Sequence, residues 1–93
     1  MIYQVAIYKG YKFTGDNYVI PDAQLVRHSI EEAREEAQQA AHVNRQAVIY
    51  FVADGHVIAE LYESHRFLEA FAFDSDEAFN KSREAAELET EGV

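Results

Sequence analysis

Alternation and near-continuous apolar runs divide most of the chain into strands, and helical spacing is confined to two segments. From Gln46 to Tyr62, QAVIYFVADGHVIAELY, two β-branched and aromatic runs flank Asp54-Gly55. A type I′ turn needs positive φ at both central residues, and Asp-Gly accepts them readily. A two-residue turn there sets Val52 against Val57, Tyr50 against Ala59 and Val48 against Leu61. One face of the hairpin is then Val48, Tyr50, Val52, Val57, Ala59 and Leu61. The other carries Ile49, Phe51 and Ile58 together with His56, Glu60 and Tyr62. A ribbon apolar on both sides belongs inside a sheet with at least one face covered.

The same pattern predicts the remaining elements. Ile2–Tyr8 alternates and reads as a strand. Lys9–Asn17 contains two glycines and reads as a loop. Its Tyr11 and Phe13, beside Lys9 and Lys12, either form a contact loop or pack back on the sheet as the strand runs on. Tyr18–Ile20 is expected to resume the strand. Pro21 cannot donate to a ladder and marks its end. Leu25 and Val26 are expected to close over the core. Ser29-Ile30-Glu31-Glu32 is a capping box, so a helix starts here. Ile30, Ala33, Ala37, Ala40 and Ala41 fall within an arc of about 100°, and the alanines allow close approach to a sheet. Val43-Asn44-Arg45 should end the helix, with Asn44 as a left-handed cap.

After a tight turn at Glu63-Ser64-His65, Arg66–Phe73 reads either as the third strand of a meander or as a short helix, since Leu, Glu and Ala favour helix. As a strand it sends Phe67, Phe71 and Phe73 to one face. Asp74-Ser75-Asp76-Glu77 then opens a second helix. The order β-β-α-β-β-β-α predicts one α+β domain over residues 1–93, an antiparallel or mixed sheet of four or five strands with two helices mainly on one face.

Charge adds a functional expectation. The 93 residues carry 17 acidic and 8 basic groups, a net charge of −9, of which residues 74–93 contribute −5 and residues 1–28 a net +1. Such a surface repels nucleic acid and anionic membranes, which need clustered Lys and Arg. It attracts basic protein surfaces. The outer arcs of the two expected helices present Glu31, Glu32, Glu35, Glu36, Asp76, Glu77, Glu84 and Glu87 as candidate partner-binding residues. Carboxylates one helical turn apart approximate a row of phosphates. The competing reading is a solvated face whose early glutamates complement the helix macrodipole.

Other chemistry has less support. The chain has no cysteine, which excludes disulfides and thiolate metal sites and fits a reducing compartment. His28, His42, His56 and His65 show no metal-binding spacing, although chain-distant ligands could still converge. Gly10, Gly15, Gly55 and Gly92 make no phosphate-binding pattern; Ser29 and either Asp74 or Ser75 serve as helix caps, and Ser64 is beside His65 only in sequence, which does not imply contact. No apolar run approaches the roughly 18 residues of a membrane span, and the amino terminus reads as a strand rather than a signal peptide. A cytoplasmic, non-enzymatic protein without catalytic, metal or cofactor residues is expected.

Tyr3-Gln4-Val5-Ala6-Ile7, Tyr18-Val19-Ile20-Pro21-Asp22 and Ser29-Ile30-Glu31-Glu32-Ala33 with Ala37 resemble the two strands, proline-aspartate turn and glutamate-alanine helix of HicB-like antitoxins. The likeness spans roughly Ile2–Ala41. Ala23-Gln24-Leu25 stands where that family has Leu-Pro-Gly, and the acidic tail has no counterpart of its DNA-binding element. The resemblance implies a similar fold and a small basic toxin as partner. The leading expectation is a protein-binding module that engages a basic partner through an acidic surface, as a phage or mobile-element inhibitor of anti-CRISPR or anti-restriction type would. The alternatives are a HicB-like antitoxin, or a self-associating, dimeric structural module that buries Ile49, Phe51, Ile58 and the Phe67–Phe73 run against a second copy.

Overall fold

A computed structural model describes residues 2–15 and 18–73. They form five strands and one helix: β1 Tyr3–Lys9, β2 Ala23–Arg27, α1 Ile30–Ala40, β3 Arg45–Ala53, β4 His56–Glu63 and β5 Arg66–Ala72. The strands make one sheet in the order β2-β1-β3-β4-β5, and every neighbouring pair is antiparallel. The α+β class and the antiparallel sheet follow the sequence pattern, although β2 is not the segment expected. One helix is described where two were expected; the second, beginning at Asp74, lies outside the described residues.

The central hairpin has the register its turn dictates. Val52 pairs with Val57, Tyr50 with Ala59 and Val48 with Leu61. Asp54 and Gly55 adopt φ 52° and 78°, both in the left-handed region that type I′ requires. A second two-residue turn, Ser64-His65, takes φ 53° and 61° and joins β4 to β5.

Alternation divides the core in two. Val5, Ala47, Ile49 and Tyr62 point to one face and meet Ala33 and Ala37 of α1 and Ala41 just after it, all buried. Alanine at these positions lets the helix lie close against β1 and β3. Ser29 caps α1 by accepting the Glu32 amide at 3.4 Å, and among the described residues only this arm of the capping box forms. The helix ends at Ala40 with Ala41 as its C-cap. Asn44 is left-handed, at φ 63°, but it turns the chain into β3 rather than capping the helix.

Ala6, Tyr8, Val48, Tyr50, Ala59 and Leu61 point to the opposite face, which no described helix covers. The segment after β1 folds back over it instead, with Phe13 and Tyr18 buried and Val19 and Ile20 half-buried. Gln46 holds this strap: its side chain accepts the Phe13 amide at 2.9 Å and donates to the Phe13 carbonyl at 3.0 Å. Tyr8 donates its hydroxyl to Val19 O at 2.7 Å and lies 2.9 Å from the Tyr50 hydroxyl. Of the two readings of Lys9–Asn17, Phe13 bears out packing on the sheet; the strand, however, stops at Lys9.

Two strand expectations need correction. Tyr18–Ile20 is not a strand; its side chains meet the sheet face-on, and β2 begins only after Pro21, where the Asp22 amide donates to Ile7 O at 2.9 Å. Asp22 also accepts the Lys9 amide at 2.7 Å and pairs with Lys12, which holds its carboxyl below the usual range. On β2, Leu25 packs toward α1 while Val26 is 51% exposed rather than in the core.

The strand reading of Arg66–Phe73 holds, but its phenylalanines do not share a face. The ladder shifts between Leu61 and Tyr62, so that Leu61 pairs with Glu69 and Tyr62 with Phe67, leaving Leu68 as an extra residue. Phe67 therefore meets Tyr62 on the helix face, with ring centres 5.7 Å apart. Phe71 and Phe73 join the core beneath the strap.

Candidate acidic interface

The amphipathic pattern of α1 sends its alanines to the sheet and its glutamates outward. Glu31, Glu32 and Glu35 are exposed, whereas Glu36 is half-buried and pairs with Arg27 of β2. Arg27 Nε donates to Glu36 Oε1 at 2.9 Å, and its Nη2 contacts the same oxygen. Glu32, Glu35, Glu36, Arg27 and Gln39 line an open polar groove of about 340 Å³. The structure thus gathers Glu32, Glu35 and Glu36 into one groove, with Glu31 a turn before Glu35. Asp76, Glu77, Glu84 and Glu87 lie outside the described residues.

The four carboxylates have different structural reasons to be there. Glu31 and Glu32 sit in the first turn, where the macrodipole favours negative charge. Glu36 neutralises Arg27. Glu35 sits in the second turn, beyond the reach of the helix end, and among the described residues it enters no ion pair. It stands four residues from Glu31 and three from Glu32, spacings at which like charges repel by a few tenths of a kcal/mol per pair.

A further ionic site was not expected from the sequence. Glu60 of β4 is 7% exposed and is gripped by Arg34 of α1. Arg34 Nε donates to Oε1 at 3.1 Å and Nη2 to Oε2 at 2.9 Å, while the Tyr62 hydroxyl donates to Oε1 at 3.1 Å. These bonds raise the Arg34 guanidinium above its ordinary value. The signal lay in the pattern, since Glu60 falls between Ile58 and Tyr62 on a largely apolar face. A carboxylate there needs a cation from the covering helix.

The histidines, separate in sequence, are partly brought together. His42 and His65 stand edge to face with ring centres 4.5 Å apart, whereas His28 lies just before α1 and His56 opens β4. Among the described residues no group of three or more His, Cys, Asp or Glu converges in a way that could hold a metal ion. Among the same residues no helix is long and apolar enough to cross a membrane. A second, apolar groove of about 220 Å³ is lined by Ile2, Gln4, Tyr50, Phe51, Val52 and Val57.

The buried phenols of Tyr8 and Tyr50 serve the core. Burial pushes both well above the ordinary tyrosine value, so they remain neutral donors and acceptors under the strap. Burial, followed by the neighbouring Glu60 charge, pushes Tyr62 up to about 12. Compared with protein-family models, curated proteins and solved structures, the chain matches none.

Proposed function

We propose that this chain is a non-enzymatic binding module that presents the outer face of α1 to a basic partner, a surface built to hold nucleic acid. Glu35 carries the reading. It adds charge where neither the macrodipole nor any ion pair among the described residues accounts for it, beside three other carboxylates. A cationic partner relieves the repulsion that the folded chain retains. Glu31–Glu35 and Glu32–Glu36 are each one turn apart, about 5.4 Å along the axis, which sets carboxylates in a row. Pairing with Arg27 weakens that row at Glu36. The acidic groups at Asp76, Glu77, Glu84 and Glu87 belong to the same proposal, as an extension of the charge. An inhibitor carried by a phage or mobile element fits a small acidic module of this kind.

A HicB-like antitoxin is the second reading, and it is one form of the first, since its partner is a small basic toxin. The β1-β2-α1 order supports it, with Pro21-Asp22 bonded back to Ile7 and Lys9 at the entry to β2. Self-association has less behind it. Ile49 is fully buried under α1 of the same chain, and Phe51 is half-buried against Tyr3.

The test is affinity capture from cell lysate at low and high salt, with Glu31, Glu32 and Glu35 all changed to Gln in the comparison protein. The expected result is a basic, nucleic-acid-handling protein that is captured at low salt, released by double-stranded DNA and lost with the charge-removed variant. Capture that ignores both salt and the three substitutions sinks the proposal.

A further inference from the structure

The face of the sheet opposite α1 keeps an apolar groove at one end. The strap seats Phe13 against Tyr8 and Tyr18 against Tyr50. Beyond it, where β1 begins and the β3–β4 hairpin turns, lies the groove of about 220 Å³. It crosses three neighbouring strands: Val57 of β4 pairs with Val52 of β3, and Tyr50 of β3 pairs with Gln4 of β1. Alternation turns these side chains to the same side as Ala6, Tyr8 and Val48, away from α1. Ile2 and Val52 remain 62% and 48% exposed there. The chain itself arrives at this groove. β5 runs antiparallel to β4 and ends beside its start: Ala72 pairs with Ile58, and the Phe73 amide donates to Val57 O at 2.9 Å. Phe73 is buried in the core of the same face. The described sheet therefore ends at a residue bonded to Val57, which lines the groove.

Twenty residues follow Phe73, residues 74–93. At helical spacing, Ala78, Phe79, Ser82, Ala85 and Ala86 fall on one side of that segment, and Asp76, Glu77, Glu84 and Glu87 fall on the other. Phe79 is its one aromatic residue, six positions beyond Phe73. Six residues span about 9 Å as a helix and about 20 Å when extended. From β4 to β1 the groove crosses two strand spacings, about 10 Å. Phe79 reaches it in either conformation. A segment tethered beside the groove meets it at an effective concentration on the order of millimolar. A second copy would instead bring a further net charge of −9 against a chain that already carries −9.

We propose that the groove lined by Ile2, Val52 and Val57 is the docking site of this chain's own residues 74–93, with Phe79 as the anchor. The carboxylates of the segment then point outward on the side opposite α1, so the negative charge continues around the molecule. The test is nuclear magnetic resonance of the unmodified full chain, reading nuclear Overhauser contacts of the Phe79 ring. Contacts to the methyl groups of Ile2, Val52 and Val57 are expected. Phe79→Ala should shift the methyl signals of Ile2 and Val52 and leave those of Leu25, which packs toward α1, in place. Changing Glu31, Glu32 and Glu35 to Gln should leave the contacts unchanged, which separates this result from the fate of the acidic face. An isotope-filtered mixture of labelled and unlabelled chains should show no such contact between copies. Absence of the Phe79 contacts, contacts to Phe67 on the α1 side in their place, or contacts found only between copies overturns the proposal.

Discussion

Glu60 is a carboxylate that a strand carries under a helix, and its surroundings predict how substitutions there behave. Arg34→Ala leaves the acid buried with only the Tyr62 hydroxyl, which should cost about 1.5–3 kcal/mol, the range for hydrogen bonds to a charged group. Replacing both partners, as Arg34→Met with Glu60→Leu, should cost far less, because no uncompensated charge remains. Urea denaturation of the three proteins separates the outcomes; a double variant as unstable as Arg34→Ala would refute it. The tyrosines give a pH dependence of known sign. Tyr8, Tyr50 and Tyr62 bind their protons more tightly folded than unfolded. Their contribution is therefore complete below the unfolded value of about 10 and is lost as pH rises through the folded values, the first of them about 12 at Tyr62. Unfolding midpoints measured from neutral pH upward should fall above about pH 10. Tyr50→Phe should flatten the decline by up to about 1.4 kcal/mol per pH unit.

At the scale of elements, the strap after β1 and the bulge in β5 decide what covers the sheet. Gly15, at φ +96°, lies against the Phe71 ring, and a Cβ there would clash with Phe71 Cε1. Gly15→Ala combines an unfavourable backbone with a clash and should destabilise by about 2–4 kcal/mol. Phe71→Ala in the same chain should recover part of that loss, giving a coupling above about 0.5 kcal/mol in a double-mutant cycle. Additive costs would show that the two do not meet. Neither feature could be read from local pattern. Tyr18-Val19-Ile20 looks like a strand because apolar residues lying face-on against a sheet satisfy the same composition as residues within one. Phe67, Phe71 and Phe73 alternate in sequence, and only the extra residue at Leu68 puts Phe67 on the other side. The central hairpin was legible because Asp54-Gly55 fixes its register locally, and α1 because its cap and its alanine arc are local.

Over the whole molecule, the acidic charge proposed for binding affects stability with opposite signs at different positions. Glu35→Gln should leave stability unchanged or slightly raised, because it relieves repulsion from Glu31 and Glu32. Glu31→Gln or Glu32→Gln should each lower it by about 0.3–1 kcal/mol through loss of the macrodipole interaction. Thermal unfolding at low ionic strength checks both signs, and salt should shrink all three effects. The sequence alone determined the strand-rich order, the one-sided alanine face of α1, the register of the hairpin and the acidic excess, since each follows from turn chemistry, periodicity or composition within a few residues. Tertiary structure alone decided that Glu36 is neutralised by Arg27, that Glu60 needs Arg34, that Phe13 and Tyr18 pack on the second face, and that His42 meets His65. Those pairings join residues distant along the chain, and only packing of the helix, strap and turns on the sheet sets their distances.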